Sequence, residues 1–544
     1  MRKKTLSALL CTVAAMAVLT GCGGDKKETA AAPAEGNTTA AVTEAAKTEA
    51  ETTAAVQTEA GGEKNLVMPS ASCVANLNPL LEGYKEAAML NPIYDPLYVI
   101  DVNETRYYLA DSYEVSEDGM QITVKLKEGL KWHDGEAITA DDMIFTMDVC
   151  SDTNNGAGGT NIVILNDQPV KYEKVDDLTV KVTLPMASAS YADLLGGLTL
   201  IPEHVFEGNP SVVSAGEANM KGIGSGPYKV TEFKQDEYLL LEKYEDYYMG
   251  APSIDKVTFR IISDLSAQEV ALMNGEVNFM ELANAPAVAK YEADPNFTVV
   301  KYPEGRVNYL AVNKFCETVQ DPKVVEAVFA ALNRDEIIAG AYGDGMAESA
   351  NSIFSNVNTF YDPSVEGYTQ DVEKAKQLVK ETGLDSKTLT LYFNSERVYM
   401  KESAQIIQQQ LKNVGINLEV IPLESAGFFE KVFGTDGDYE FYLNGYGAVG
   451  DPDQVVAGMY DGTWGVNLAV SDEVSQLWED ARTVYTPEER AAIYKQIQIQ
   501  TRDELTCYPI AYPNYVFVTT SNIKGADTIK RTPVFEDYTK LTME

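Results

Sequence analysis

The sequence KEGLKWHDGEAITADD spans residues 127–142 and joins a predicted strand to a predicted helix. We expect Trp132 to be buried in the turn, Gly135 to supply a positive φ angle and Asp134 to cap the turn locally. Thr139 has the position and chemistry of a helix N-cap, and the acidic residues after it suit the positive end of the helix dipole. From the residues alone, this stretch is a packed turn that leads into a helix and not a binding site.

Alternation of apolar and polar residues around this turn predicts two half-buried strands. Ile122, Val124 and Leu126 alternate with polar residues, and residues 178–184 repeat the pattern. Because successive side chains of a strand point to opposite faces, this period of two is typical of a sheet with one face in the core.

Helices and strands alternate in the second half of the chain. Asp321-Pro322 predicts the N-cap and first position of a helix, and residues 371–381 predict another helix that ends before Gly383. Residues 486–489, Thr-Pro-Glu-Glu, have the form of a capping box that opens a further helix. Residues 515–519 are the last predicted strand.

Residues 389–421 predict a βαβ unit. A strand at 389–393 is followed by a helix at 397–413, then Gly415 and a strand at 416–421. A crossover connection through a helix makes the two strands parallel. The whole pattern indicates an α/β protein with mixed sheets flanked by helices.

Composition excludes several classes of protein. The chain has 544 residues, 43 Lys and Arg against 82 Asp and Glu, and a net charge of −39 at pH 7. This charge repels phosphates, so we expect no nucleic-acid partner. With 45% hydrophobic and 23% charged residues, the body of the chain has the composition of a soluble globular protein.

The N-terminus has the features of an exported lipoprotein. Three basic residues at 2–4 precede an apolar run at 6–19 that is short for a membrane span. Leu19-Thr20-Gly21-Cys22 follows and resembles a bacterial lipobox, which predicts a signal peptide at 1–21 and a diacylglyceryl group on Cys22. The expected location is the cell envelope, at the outer face of the plasma membrane, or its periplasmic side in a cell with an outer membrane. An ordinary signal peptide is the alternative.

After Cys22 the composition is dominated by Ala, Thr and Glu up to residue 63. Without aromatic residues, Leu, Ile or Met, this segment has little apolar surface to offset its ordering entropy. We predict a disordered linker at 22–63, with a root-mean-square span of about 35 Å as a coil. An isolated Ala-rich helix is the alternative.

Cysteine and histidine usage gives no sign of a metal site or of catalysis. Cys73, Cys150, Cys316 and Cys507 are widely spaced, and the two histidines lie in unrelated segments. Isolated buried thiols are the simplest interpretation, with one disulfide left open. Neither a nucleotide-binding loop nor a nucleophile motif occurs. We therefore expect no metal, no cofactor and no enzymatic activity.

At this point a family resemblance becomes clear. Residues 127–142 resemble the signature of the family 5 solute-binding proteins of ABC importers, the oligopeptide- and dipeptide-binding lipoproteins. Supporting segments follow in the family's order across nearly the whole chain after the linker. They are NP at 78–79, GSGPY at 224–228, NYLAVN at 308–313, NRD at 333–335 and GDPD at 450–453.

The resemblance implies a two-lobed, three-domain trap of the type II periplasmic-binding-protein kind, which encloses a solute between its lobes. Residues 64–92, 228–305 and 508–544 would form a discontinuous first-lobe domain. Residues 93–227 would be an extra domain of that lobe, and residues 306–507 the second α/β lobe.

The resemblance also implies a function. We expect a monomer that captures a small solute, a short peptide first of all, and delivers it to ABC permease and ATPase subunits. A nickel complex, a sugar or another small polar compound are alternative solutes, and a tethered extracellular sensor is an alternative role. An exported hydrolase is disfavoured because no activated nucleophile or metal cluster is evident.

For the site, the family pattern implies main-chain hydrogen bonds to the peptide and an acidic residue for its amine. Dipeptide-type members carry an Asp shortly before the Gly-Asp-Pro, whereas this chain has Ala448-Val449 there. Asp451 is the candidate replacement, with a helix cap as its competing role. The predicted ligand-binding residues are Ser70, Ser72, Cys73, Arg397, Tyr446, Gly447, Asp451, Trp464 and Asn467.

Overall fold

The computed structural model describes residues 63–81, 89–100, 104–460, 468, 470–528 and 537–544. The predictions for the signal peptide, for Cys22 and for the linker up to residue 62 lie outside the described residues. The body of the chain from residue 63 onward belongs to one compact unit, Glu59–Glu544.

Twenty-two strands occur in the described residues. They are β1 (Asn65–Ser70), β2 (Tyr98–Ile100), β3 (Thr105–Tyr107), β4 (Ala110–Val115), β5 (Gln121–Leu126), β6 (Ile164–Leu165), β7 (Gln168–Pro169), β8 (Lys171–Asp176), β9 (Thr179–Thr183), β10 (Tyr228–Lys234), β11 (Tyr238–Lys243), β12 (Lys256–Ile261), β13 (Phe279–Glu281), β14 (Phe297–Pro303), β15 (Arg306–Val312), β16 (Ala347–Ser349), β17 (Thr388–Asn394), β18 (Asn417–Leu423), β19 (Phe441–Gly447), β20 (Cys507–Thr520), β21 (Ile523–Lys524) and β22 (Thr542–Met543).

Fourteen α-helices occur in the same residues. They are α1 (Ala140–Ser151), α2 (Thr160–Val163), α3 (Tyr191–Gly196), α4 (Leu265–Met273), α5 (Ala285–Glu292), α6 (Pro322–Ala331), α7 (Arg334–Ala341), α8 (Val372–Thr382), α9 (Val398–Asn413), α10 (Ser425–Val432), α11 (Pro452–Val455), α12 (Ala457–Tyr460), α13 (Asp472–Thr483) and α14 (Pro487–Asp503). None of these helices is long and apolar enough to cross a membrane.

Three larger sheets organise the described residues, and β2-β3, β6-β7 and β21-β22 form three two-stranded sheets beside them. One has the order β1-β12-β11-β10, with β1 parallel to β12 and the other pairs antiparallel. A second, antiparallel throughout, has the order β4-β5-β9-β8 and packs against α1. The largest has the order β13-β20-β15-β19-β17-β18, and β14 and β16 also pair with β20. The predicted α/β class with mixed sheets is confirmed.

Strand β20 links two parts of the largest sheet. Its second half, from Asn514 to Thr520, pairs with β13 and β14, and its first half pairs with β15 and β16. The predicted strand at 515–519 was much too short, since β20 has 14 residues. Pro509 and Pro513 caused the error because proline lacks an N–H and normally argues against a central strand.

The predicted helices and the βαβ unit are confirmed. Asp321 caps α6 through the backbone N–H of Lys323, and α8 ends at Gly383, whose φ is +68°. Strands β17 and β18 pair in parallel on either side of α9. The helix predicted to open at 486–489 is confirmed: Thr486 is the N-cap of α14, and Pro487, whose ring nitrogen has no N–H to satisfy, is its first residue. Only the capping box itself is wrong, because the Thr486 side chain makes no cap hydrogen bond.

The turn at 127–142 is structural, as predicted. Trp132 is fully buried, Gly135 has φ +94°, and Thr139 forms a reciprocal capping box with Asp142. The His133 ring accepts a hydrogen bond from Gly224 N–H at Nδ1 (3.1 Å) and donates from Nε2 to the Gly226 carbonyl (2.9 Å). The turn is thereby fixed to the entry of β10.

The thiols of Cys150, Cys316 and Cys507 are buried in separate parts of the structure and form no disulfide. This agrees with the interpretation as isolated buried thiols. Burial raises the pKa of Cys150 to about 11 and that of Cys507 to about 12, so both remain protonated at neutral pH.

Candidate functional site

The chain passes between two parts of the largest sheet at residues 304 and 305. Strand β14 ends at Pro303, β15 begins at Arg306, and the Glu304 N–H donates to the Pro513 carbonyl in β20 (2.9 Å). Gly305 has φ +71°, and a Cβ there would lie 1.9 Å from Val449 Cγ2. Two crossing backbone segments and a required glycine therefore define a narrow junction.

Charged side chains collect at this junction. Arg306 donates from Nη2 to the Gly445 carbonyl (3.1 Å), and its Nε lies 3.6 Å from Glu304 Oε1. Both side chains are about one-third exposed, at 33% and 34%. Burial raises the pKa of Glu304, although the positive charges of Arg306 and Arg397 act in the opposite direction.

A second carboxylate lies near Glu304, at the end of β13. Glu281 is accessible to solvent, yet protein surrounds it closely enough for burial to raise its pKa, with a further upward contribution from the Glu304 charge. A hydrogen bond with Tyr515 acts against that rise. Partial desolvation disfavours the charged form of a carboxyl, which accounts for the direction of this shift. We call the region around Glu304, with Glu281 and Arg306, the junction recess.

Tyrosines and one amide continue the wall of the junction recess. Tyr399 of α9 stacks on Tyr342, with ring centroids 5.4 Å apart, and Asn308 Nδ2 donates to the Tyr342 hydroxyl (2.8 Å). Asn308 is 4% exposed, and its Oδ1 has no hydrogen-bond partner in the described part of the chain. A Cβ on Gly445 would lie 2.1 Å from that oxygen and 3.3 Å from Arg306 Nη2. A side chain at position 445 would therefore clash with Asn308, so this close contact requires glycine.

A cavity of about 720 Å³ lies elsewhere, between the β4–β5 hairpin and the start of α14. Its walls include Tyr113, Ile122 and Phe360, and the ion pair of Asp451 with Arg490 borders it. Next to it, hydrogen bonds join the two parts of the chain on either side. Asp193 accepts from the Asp451 N–H (3.0 Å), and the Ser190 hydroxyl donates to Asp453 (2.8 Å).

The structure describes all predicted site residues except Trp464 and Asn467, and their surroundings differ. Gly447 is exposed and pairs with Arg306 across β15 and β19. Arg397 is exposed at the start of α9 and contributes to the potential at Glu304. Tyr446 is buried, and its hydroxyl donates to the Ile353 carbonyl (2.6 Å), so its ring packs in the core.

Three of the predicted site residues lie at the end of β1 and just after it. Ser70 donates from its hydroxyl to the Ser72 carbonyl (2.7 Å), and Cys73 packs half-buried against the core cluster that Tyr515 also borders. Trp464 and Asn467 lie outside the described residues. Ligand contacts of Ser70, Ser72 and Cys73 stay predictions.

Asp451 has a different partner from the one we expected. Its carboxylate accepts both terminal nitrogens of Arg490, and its Oδ1 also caps α11 at the Asp453 N–H (3.1 Å). The proposed contact with a ligand amine is untested, but the oxygens that would make it already hold these donors. Sequence reasoning gave weight to the cap and missed Arg490, which lies 39 residues further along the chain.

The residues of the junction recess were also missed. Glu281 and Glu304 each stand at the end of an apolar strand, where a charged residue is common and carries little signal. The sequence Glu304-Gly305-Arg306, with opposite charges around a glycine between two strands, is the feature that was available. No group of three or more His, Cys, Asp or Glu side chains in the described ranges is arranged to hold a metal ion.

Comparison with known proteins gives the family. The model for bacterial extracellular solute-binding proteins, family 5, matches residues 104–467. The chain belongs to this family. The predicted family and its two-lobed α/β fold are thereby confirmed.

Individual proteins resemble the chain over most of their length. The dipeptide-binding protein of Escherichia coli K12 is 27% identical over 499 residues, which cover 85% of this chain and 92% of that protein. The ABC transporter substrate-binding protein CtaP of Listeria monocytogenes is 33% identical with a TM-score of 0.83, and AppA of Clostridium difficile is 34% identical with a TM-score of 0.81. Each of these two structures covers 89% of this chain and is itself covered completely.

Proposed function

We propose that this protein is the substrate-binding component of an ABC importer and that its solute is a short peptide. The observation that carries the proposal is the junction recess, where Glu304 lies 3.6 Å from Arg306 beside the exposed Gly447 of β19, and Glu281 lies close enough to Glu304 to feel its charge. A peptide offers an amine, a carboxylate and main-chain N–H and C=O groups, and the recess has a partner for each. The name of the Escherichia coli relative supports the same class of solute.

Mass spectrometry of material that co-purifies with the protein tests this proposal. Calorimetry with a library of di- to pentapeptides then measures affinity. We expect a bound peptide and micromolar or tighter binding. A co-purified sugar or metal complex, with no binding from the library, would reject the peptide and leave a role in import standing.

We also propose that binding is coupled to closure of the two lobes. The contacts of Ser190 with Asp453 and of Asp193 with the Asp451 N–H link residues of the extra domain to those of the second lobe. A ligand that binds the closed form more tightly shifts the population toward it. Small-angle scattering should give a smaller radius of gyration with saturating peptide, and an unchanged profile would refute closure.

The domain division is part of this proposal. Strand β1 pairs with β12, which supports a first-lobe domain that combines residues 64–92 with residues 228–305. The sheet β4-β5-β9-β8 lies wholly within residues 93–227 and supports a separate extra domain.

Attachment to the membrane through Cys22 completes the proposal. The lipobox and the linker place a folded body close to the bilayer, next to permease and ATPase subunits, and two acyl chains give stable anchoring where one does not. Mass spectrometry of the native N-terminus should find a chain that begins at Cys22 with lipid attached. An unmodified Cys22 in the membrane fraction would refute the anchor.

A further inference from the structure

We propose that the cavity between the β4–β5 hairpin and the start of α14 receives a large apolar side chain of the bound peptide. We call this cavity, which lies between residues 113–122 and residues 485–491, the hairpin cavity. The inference rests on the proposed function and adds the kind of residue that the peptide must carry. It also gives the β4–β5 hairpin a part in recognition of the solute.

The hairpin cavity has the size and the surface of a side-chain site. Its volume of about 720 Å³ lies within the range of small-molecule pockets, roughly 300–1,000 Å³. Tyr113 and Val115 of β4 line one wall, together with Ile122, which pairs with Val115 in β5. Residues two apart on a strand and residues paired across strands share a face, so these side chains form one surface. Val115 is 40% exposed, and an incoming apolar side chain would cover it.

The facing wall contributes further apolar surface. It includes Phe360, Tyr485, Pro487 and Ala491. The Arg490 guanidinium lies 4.9 Å from the Phe360 ring centroid and is bonded to Asp451, so its charge is already compensated. Glu117 and Glu488 are exposed residues of the lining, and their charges repel a carboxylate. The cavity therefore suits an apolar side chain and disfavours an acidic one.

Direct contacts hold the two walls of the hairpin cavity together. Besides its bond to Asp453, the Ser190 hydroxyl accepts a hydrogen bond from Gln454 Nε2 (2.7 Å). The Tyr485 ring packs on Gly119 in the turn of the hairpin, where a Cβ would lie 2.0 Å from the ring. Walls that are already joined lose little conformational entropy when the cavity is filled, which favours binding there.

The hairpin cavity lies within reach of the junction recess. Gly447 pairs with Arg306 at the recess, and Asp451, four residues later, lines the cavity. Four residues of chain span at most about 14 Å, which limits the distance between the Cα atoms of Gly447 and Asp451. The first and last Cα atoms of an extended pentapeptide are about as far apart. A pentapeptide is therefore long enough to contact the recess and to place one side chain in the cavity.

Isothermal calorimetry with six pentapeptides tests the inference. The probes are pentaalanine and five versions of it, each with one alanine replaced by phenylalanine. Burial of a phenylalanine side chain is worth about a tenfold gain in affinity or more, and we expect at least one version to show it. Glutamate at the same position should give no gain. Equal affinity for all six probes, or an equal gain with glutamate, would overturn the inference and leave the proposed function intact.

Variants assign the gain to the hairpin cavity. Ala491→Trp in α14 and Val115→Trp in β4 fill it from opposite walls at exposed positions. We expect each to abolish the preference for phenylalanine without weakening the binding of pentaalanine. Ala492→Trp adds the same bulk at the adjacent exposed position of α14, outside the cavity wall, and should retain the preference.

Two outcomes separate the inference from the proposed function. If both cavity-filling variants are folded by thermal unfolding and keep the full preference, the phenylalanine binds elsewhere and the inference is overturned. If no pentapeptide binds the unaltered protein, the peptide proposal fails and the inference fails with it.

Discussion

The Asp451 carboxylate receives both terminal nitrogens of Arg490, at 2.6 and 3.0 Å, in a region where both side chains are buried. The Tyr494 hydroxyl also contacts Asp451 Oδ1 (3.2 Å). Because Asp451 caps α11 and Arg490 lies in α14, the ion pair fastens one helix to the other. This structural pair involves the Asp of the Gly-Asp-Pro segment, for which the sequence analysis predicted ligand binding.

Asp451→Ala should therefore lower stability. The change leaves the Arg490 guanidinium buried without its counter-charge, and breaking a buried pair in this way costs about 3–5 kcal/mol. Urea unfolding at pH 7 measures the effect. Glu373→Ala, which removes an exposed pair with Lys376, is the control and should cost less than about 1 kcal/mol. Replacing Arg490 by Met in the Asp451→Ala background should recover part of the loss, and no recovery would contradict the explanation.

Gly224→Ala should destabilise the turn region. A Cβ at Gly224 would stand 1.9 Å from the Ile93 carbonyl oxygen, so backbone must shift. Overpacking of this kind typically costs about 1–3 kcal/mol. Gly216 has open space at its Cβ position and serves as the matched control. Thermal unfolding should separate the two variants clearly, and equal melting temperatures would show that the segment around Ile93 yields easily.

His133 should make the protein acid-sensitive. Burial lowers the pKa of His133 to about 4 from an ordinary value near 6.5. Its contribution to stability is thus present above pH 6.5 and is lost as the pH falls through 4. The stability difference between the native protein and His133→Phe should shrink by up to about 3 kcal/mol from pH 7 to pH 4. Replacement of the exposed His204 by Phe is the control. A stability difference between the native protein and His133→Phe that stays constant with pH would exclude this origin of acid sensitivity.

Asp95 should lower the stability of the folded protein as the pH rises, whereas His133 lowers it as the pH falls. Burial raises its pKa to about 7, although the Tyr248 and Tyr247 hydroxyls donate to it (2.8 and 2.9 Å). The folded form binds the proton more tightly than the unfolded form, so stability falls as the pH rises from about 4 through 7. Asp95→Asn keeps an acceptor oxygen and removes the titration. Between pH 4 and pH 8 the variant should gain up to about 4 kcal/mol relative to the native protein in urea unfolding, whereas parallel pH profiles would argue against a buried titrating carboxyl.

Local features of the fold were predictable from the sequence. The caps at Asp321 and Gly383, the alternation in β5 and the βαβ unit all depend on neighbouring residues, so their patterns are visible in short windows. Strand β20 was not predictable at full length, because its pairing partners are distant and its two prolines oppose a strand locally. Tertiary pairing outweighed local preference there.

The site was harder to predict for the same physical reason. Glu281, Glu304 and Arg306 have ordinary local surroundings, and only the register of β13, β14 and β20 brings the first two to one face. Asp451 binds Arg490, whereas we expected it to bind a ligand amine. These two residues are 39 positions apart, so no short sequence pattern connects them. Side-chain function here follows from long-range geometry.

The position of β20 has a consequence for biosynthesis. Until residues 507–520 of the 544 have left the ribosome, β13, β14 and β16 have no partner strand among the described residues. The largest sheet is therefore completed only near the end of translation, by pairing over long sequence distances, which is slow. For a chain that we propose to be exported, this order of events leaves the central sheet unfinished during most of synthesis.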